Sequence, residues 1–186
     1  MEEQLKIIWE IVEKRTPEHG THGFEHTKRV FDLCKSLGEG SGADMSVLLP
    51  AALLHDIARG EPNHAIVGAD KARTILNELK FDPTKVESIC DAISTHSFSG
   101  GKRPQSLEGK ILSDADKLDA MGAVGVYRAA MYSGELLRSQ KDFIDHFHDK
   151  LLTLKDLMFT DTAKVLAEER HQYMIKYLEE FDKELS

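Results

Sequence analysis

Several side chains able to bind a metal interrupt patterns that are otherwise apolar and helical. His26 lies four residues before Val30 and seven before Leu33, on the inward face of its helix. His22 is one turn further back. His55 and Asp56 close the most apolar stretch of the chain, Ala51-Ala52-Leu53-Leu54-His55-Asp56. His96 continues the face of Val86, Ile89 and Ile93, and Asp116 continues the face of Leu112, Ala120 and Ala123. An inward carboxylate is costly unless it is paired or bound to metal. Two of them, Asp56 and Asp116, in an acidic protein point to a shared cation. Imidazole nitrogen with carboxylate oxygen is a ligand set for Mn, Fe, Co, Ni or Zn, and the carboxylates also accept Mg. One inward His by itself reads as a hydrogen-bonded core residue, and one His-Asp dipeptide is a weak signal. Separate helices that each present His or Asp inward make the stronger one. Asp114 and Asp116 stay open as alternatives. Asp114 shares a face with Ile111 and Leu118, and after Ser113 it also fits a helix cap.

The elements that must position these groups read as helices throughout. Leu5, Ile8, Trp9 and Val12 share one helix face, which Thr16-Pro17 ends. A short loop with His19, Gly20 and His22 follows. Val30, Leu33, Cys34 and Leu37 repeat the pattern until Gly38, Gly40 and Gly42. Val47 to Leu54 is apolar on every side, which predicts a buried central helix with a kink or a late start at Pro50. Asn63 is placed to cap a helix with Ala65, Ala69, Ala72, Leu76 and Leu79 on one face. Pro83 suits the start of the next. Residues 97–104 form a loop rich in Gly and Ser. Further helical patterns run over roughly 106–132, 139–154 and 159–182. His146, His148 and His171 lie in charged segments and read as surface positions.

Length and charge narrow the functions. The 186 residues suit one domain. Lys and Arg number 24 against 32 Asp and Glu, a formal charge of −8. That balance argues against a mainly electrostatic grip on a DNA or RNA duplex or on an anionic membrane. It leaves a small anionic substrate open, because a bound metal inverts the local field. No apolar run approaches the ~20 residues that span a bilayer. The acidic N-terminus is no secretory signal. Cys34 and Cys90 have no paired spacing and read as buried thiols, so a reducing cytoplasm is the expected compartment.

His26, then Ala-Leu-Leu-His55-Asp56-Ile, then Ala115-Asp116-Lys117-Leu118-Asp119-Ala120 resemble the H…HD…D signature of the HD-domain superfamily of metal-dependent phosphohydrolases. The opening His22-Gly-Phe-Glu-His26-Thr-Lys-Arg29-Val30 resembles that family's first motif. Ser113 to Arg128 looks like the small single-domain HD proteins of bacteria and archaea. The resemblance covers roughly 20–130. It implies an all-α, single-domain helical bundle over 1–186 with a central metal site, the helices of about 139–182 packing on the motif-bearing core. It implies His26, His55, Asp56 and Asp116 as ligands of a divalent ion, Asp116 being preferred to Asp114 because the family's Asp follows Ala and precedes a basic residue and Leu. His22, Asp114 and Asp119 are lesser candidates. His64 and His96 match in kind the extra positions at which some members hold a second metal. Their alternative role is hydrogen bonding to phosphate or to the metal's water.

The reaction expected from the resemblance is hydrolysis of a phosphate ester or anhydride, most naturally of a nucleotide, with Asp56 orienting the attacking water. Charge developing on the phosphoryl oxygens calls for cations. Arg29, Arg59 and Lys117 are the candidate clamps, with Arg128 and Lys102-Arg103 weaker ones at a cleft mouth. Two rivals are a di-iron oxygenase on the same fold and a non-catalytic module that senses a nucleotide or metal. A homodimer through the amphipathic C-terminal helices is compatible with the pattern.

Overall fold

Where the sequence alternates apolar and polar residues at helical spacing, the structure forms helices, and the described residues contain no strand. It is a computed structural model, describing residues 2–17, 20–97 and 103–185. Two compact units divide the chain, Met1–Ala115 and Asp116–Ser186.

The first unit contains α1 (Glu2–Arg15), α2 (Phe24–Gly38), α3 (Met45–Leu54), α4 (His64–Glu78), α5 (Pro83–Thr95) and most of α6 (Leu107–Asp119). Its centre is α3, which packs against α1, α2, α4 and α5. An all-apolar helix can only be satisfied there, and every residue from Pro50 to Leu54 is buried. The late start expected at Pro50 is not what forms. Asp44 caps the helix at Met45, its carboxylate accepting from Ser46 N–H at 2.8 Å, and Pro50 lies inside. Ile8, Val12, Val30, Cys34, Leu48, Leu53, Ile89 and Ile93 fill the core around α3. Trp9 of α1 meets Phe24 and Phe31 of α2 edge-on, with centroids at 5.1 and 5.7 Å. Asn63 precedes α4 as expected but does not cap it through its side chain. It takes a left-handed conformation, φ 55°, which Asn tolerates better than most residues. Pro83 opens α5 behind an Asp82 cap, as its fixed φ suggests. Cys34 and Cys90 are buried and form no disulfide.

The second unit corrects two long helical spans. The pattern over 106–132 is broken into α6 and α7 (Gly122–Glu135). Gly122 has φ +70°, and Gly125 sits so close to Ala120 that a Cβ would lie 2.6 Å from its carbonyl carbon. Helical periodicity carries across such a corner without revealing it. Likewise 139–154 divides into α8 (Gln140–Asp149) and a 3-10 helix over Leu151–Leu157. Ser139 and Asp142 close a capping box at the start of α8. Along α9 (Asp161–Leu185), Ala163, Ala167, Met174 and Leu178 are buried. Phe143, Phe147, Tyr177 and Phe181 form a continuous run of ring contacts between α8 and α9. His148 is exposed, whereas His146 and His171 are half-buried rather than at the surface. Ala123 is also exposed and shares no buried face with Asp116. Among the described residues no helix is long and apolar enough to cross a membrane.

Candidate metal centre

Buried α3 delivers its C-terminus into the core of the first unit, and the two residues that follow are His55 and Asp56. A helix end leaves carbonyls without partners. His55 answers one of them, its Nδ1–H donating to the Ala52 carbonyl at 2.8 Å. A carbonyl only accepts, so the proton sits on Nδ1 and Nε2 is left bare. The end of α5 repeats the device. His96 Nδ1–H donates to the Ile93 carbonyl at 2.6 Å, and the His96 carbonyl accepts from the Ser113 hydroxyl of α6 at 2.8 Å. Two helix C-termini thus turn unprotonated Nε2 atoms toward one place, where their partial negative charge favours a cation.

The other imidazoles also come from helix ends rather than from helix faces. His26 lies in the first turn of α2, His64 opens α4, and His22 sits in the turn before α2. All five rings surround the Asp56 carboxylate. Its Oδ2 lies 3.3 Å from His22 Nδ1, 3.6 Å from His26 Nε2 and 3.8 Å from His55 Nε2. Its Oδ1 lies 3.8 Å from both His64 Nε2 and His96 Nε2. His26 Nε2 and His55 Nε2 stand 3.2 Å apart. The side chains of His26, His55, His96 and Asp56 are all buried, while His64 and His22 are 17% and 31% exposed. The cluster therefore has a buried floor and a wetter rim.

Burial pushes the Asp56 carboxyl up, but His55, His22, Arg59 and His26 together bring it well below the usual carboxylate range. It is an anion at neutral pH. Its Oδ1 is nevertheless buried with no hydrogen-bond partner. A carboxylate oxygen left without a hydrogen bond, beside imidazole nitrogens, suits a divalent first-row metal. His22, His26 and Asp56 form one group able to hold such an ion, and His55, Asp56 and His96 form another.

Three turns after α3 bring Arg59 back over Asp56, its N–H donating to the Asp56 carbonyl at 2.8 Å. Its guanidinium donates to His22 Nε2 at 2.8 Å and to His64 Nε2 at 3.3 Å, with Asp56 Oδ1 at 3.7 Å. The sequence marks Arg59 as a cation near the His-Asp pair but gives no sign of this double grip, which joins segments far apart in the chain.

The remaining candidates lie as follows. Arg29 is half-buried on α2, one turn past His26, where its charge acts on Glu25. Asp114 is fully buried in the middle of α6, so a helix-start cap is not its role. Asp116 is half-buried on the same helix. Lys117 is buried with its ammonium 4.9 Å over the Phe159 ring. Asp119 accepts from the buried Arg128 guanidinium at 2.9 Å, a structural pairing that residue types alone do not reveal. Arg103 is exposed, and Lys102 and His19 lie outside the described residues.

Residues 23–121 match the HD domain family. This chain belongs to the HD-domain family. The HD-domain chain is 36% identical over 179 residues to the YpgQ protein of Bacillus subtilis (strain 168), covering 91% of this chain and 87% of that protein. The crystal structure of YpgQ in complex with ADP matches with a TM-score of 0.83 at 34% identity, over 98% of this chain and 95% of that one. An HD-superfamily hydrolase of Bacillus thuringiensis matches with a TM-score of 0.78 at 35% identity, over 99% and 95%. The fold is thus that of HD-superfamily hydrolases, and its His-Asp cluster is of a kind that can hold a divalent metal.

Proposed function

We propose that this protein is a metal-dependent phosphohydrolase that cleaves a phosphate ester or anhydride of a nucleotide. The observation that carries the reading is the convergence of five imidazoles on the buried carboxylate of Asp56, whose Oδ1 has no hydrogen bond. The ligands proposed for the principal ion are His26, His55, Asp56 and Asp116. Asp116 enters this set from its place in the H…HD…D pattern, on a helix whose Ser113 hydroxyl is already tied to the His96 carbonyl. A divalent ion held there would supply two things, polarisation of a phosphoryl oxygen and a bound water acidified toward neutrality.

The protein's own part is positioning. The Ala52 and Ile93 carbonyls hold His55 and His96 in the tautomer whose Nε2 carries no proton. Asp56 stays ionised and offers one oxygen to His22, His26 and His55 and the other to His64 and His96. Arg59, at the exposed rim, is the cation best placed to meet an incoming phosphate. The nucleotide is supported by YpgQ, which was solved with ADP bound. A nucleoside phosphate carries the anhydride and ester bonds that such a centre hydrolyses.

The test is phosphate or pyrophosphate release from a panel of nucleotides and phosphoesters, with Mn, Mg, Co, Ni or chelator, for wild type beside D56N. Turnover by wild type alone, and only with metal, is expected. Silence with every substrate and metal would remove the hydrolytic reading and bring iron content and oxygen uptake forward.

A further inference from the structure

The Asp56 cluster has two sides. His22, His26 and His55 face Oδ2, and His64 and His96 face Oδ1. With two carboxylate oxygens and two sets of imidazoles, the donor atoms alone could hold two cations. One cation is already there. The Arg59 guanidinium donates to His22 Nε2 and His64 Nε2 and lies 3.7 Å from Asp56 Oδ1. It therefore engages the same nitrogen of His64, and approaches the same oxygen of Asp56, that an outer metal ion would need. Its donation to His22 Nε2 also places the His22 proton on Nδ1, the atom facing Asp56 Oδ2, so His22 offers a metal neither nitrogen while Arg59 is bound.

This arrangement is fixed locally. The turn that ties Arg59 N–H to the Asp56 carbonyl directs the side chain back over the carboxylate. The planar fork lets two arms reach two imidazoles at once. A divalent ion entering on the Oδ1 side would meet a like charge within a few ångströms and would have to displace the hydrogen bond to His64.

We propose that Arg59 occupies the outer cation position of the Asp56 cluster, so that the resting protein binds one divalent ion tightly and a second only weakly. The proposal rests on the metal-binding reading above and concerns stoichiometry rather than turnover.

The experiment strips the full chain with chelator, titrates it with Mn, and reads bound Mn per chain together with the electron paramagnetic resonance spectrum. Wild type should hold one ion with an uncoupled signal. R59A and R59M should hold two with a spin-coupled signal, the second at least about tenfold tighter than in wild type. R59K keeps a charge in place and should stay at one. R59A/H64Q should return to one, which locates the second ion on the Oδ1 side. Arg59 is 40% exposed, so its loss spares the core, and circular dichroism checks each variant. Two equally tight ions in wild type, one ion in R59A and R59M, or two in R59K would each overturn the proposal. A wild-type chain that binds no Mn would instead remove the metal reading, and this inference with it.

Discussion

Asp119 is a candidate site residue that the structure shows in a buried ion pair, and its removal has a calculable consequence. Its carboxylate accepts from Arg128 at 2.9 Å, with side chains 2% and 9% exposed. Arg170 lies close by, donating to the Leu118 carbonyl at 2.5 Å and interacting electrostatically with Asp119. Taking one partner from a buried pair costs about 3–5 kcal/mol, because the remaining charge stays desolvated. In a chain of this size each kcal/mol moves the melting temperature by roughly 2–4 °C. D119A should therefore melt about 6–20 °C below wild type. The double variant D119L/R128M, which removes both charges, should recover most of that loss. Urea and thermal unfolding followed by circular dichroism provide the assay. A D119A chain that unfolds within ~1 kcal/mol of wild type while losing turnover would refute the structural assignment and return Asp119 to the chemistry.

Other perturbations follow from single contacts. G125A places a Cβ 2.6 Å from the Ala120 carbonyl carbon and should cost about 1–3 kcal/mol, read as a lower urea midpoint; an unchanged midpoint would mean that the corner between α6 and α7 yields freely. His146 is held below the ordinary histidine range, first by burial and then by the Lys150 and Arg138 charges. The unfolded chain thus takes up the proton first, and stability should fall as pH drops through about 6.5, the ordinary value. H146Q should flatten that acid limb, whereas parallel profiles for the two proteins would contradict it. Mn at ~100 times its dissociation constant should stabilise the chain by about 2.7 kcal/mol. Chelator should abolish that gain, and D56N should lack it; an equal gain in D56N would detach metal binding from Asp56.

Much of this could be read from residues, and the failures share a physical cause. The all-apolar stretch before His55 announces a central helix, and the inward placement of His26, His55, Asp56 and His96 announces their clustering. Those signals are local, and periodicity carries them. Periodicity does not reveal that the imidazoles sit at helix termini, where a ring nitrogen can bond a carbonyl three residues back. A His directly after an apolar helical run, as at His55, is the cue to it. The corner at Gly122 was hidden because α7 resumes a helical pattern almost at once. Asp114 looked like a cap only while the start of α6 was unknown. The grip of Arg59 on His22 and His64, and the pairing of Asp119 with Arg128, depend on tertiary folding and leave no mark in spacing.

The central claim is that water, made reactive at the Asp56 cluster, attacks phosphorus. Its most direct test is hydrolysis in oxygen-18 water by Mn-loaded protein, with mass spectrometry of the products. The account predicts that a phosphoryl product gains one solvent oxygen per bond cleaved and that D56N gives no labelled product. Absence of cleavage with any nucleotide, or cleavage that leaves every phosphoryl product unlabelled, would contradict it.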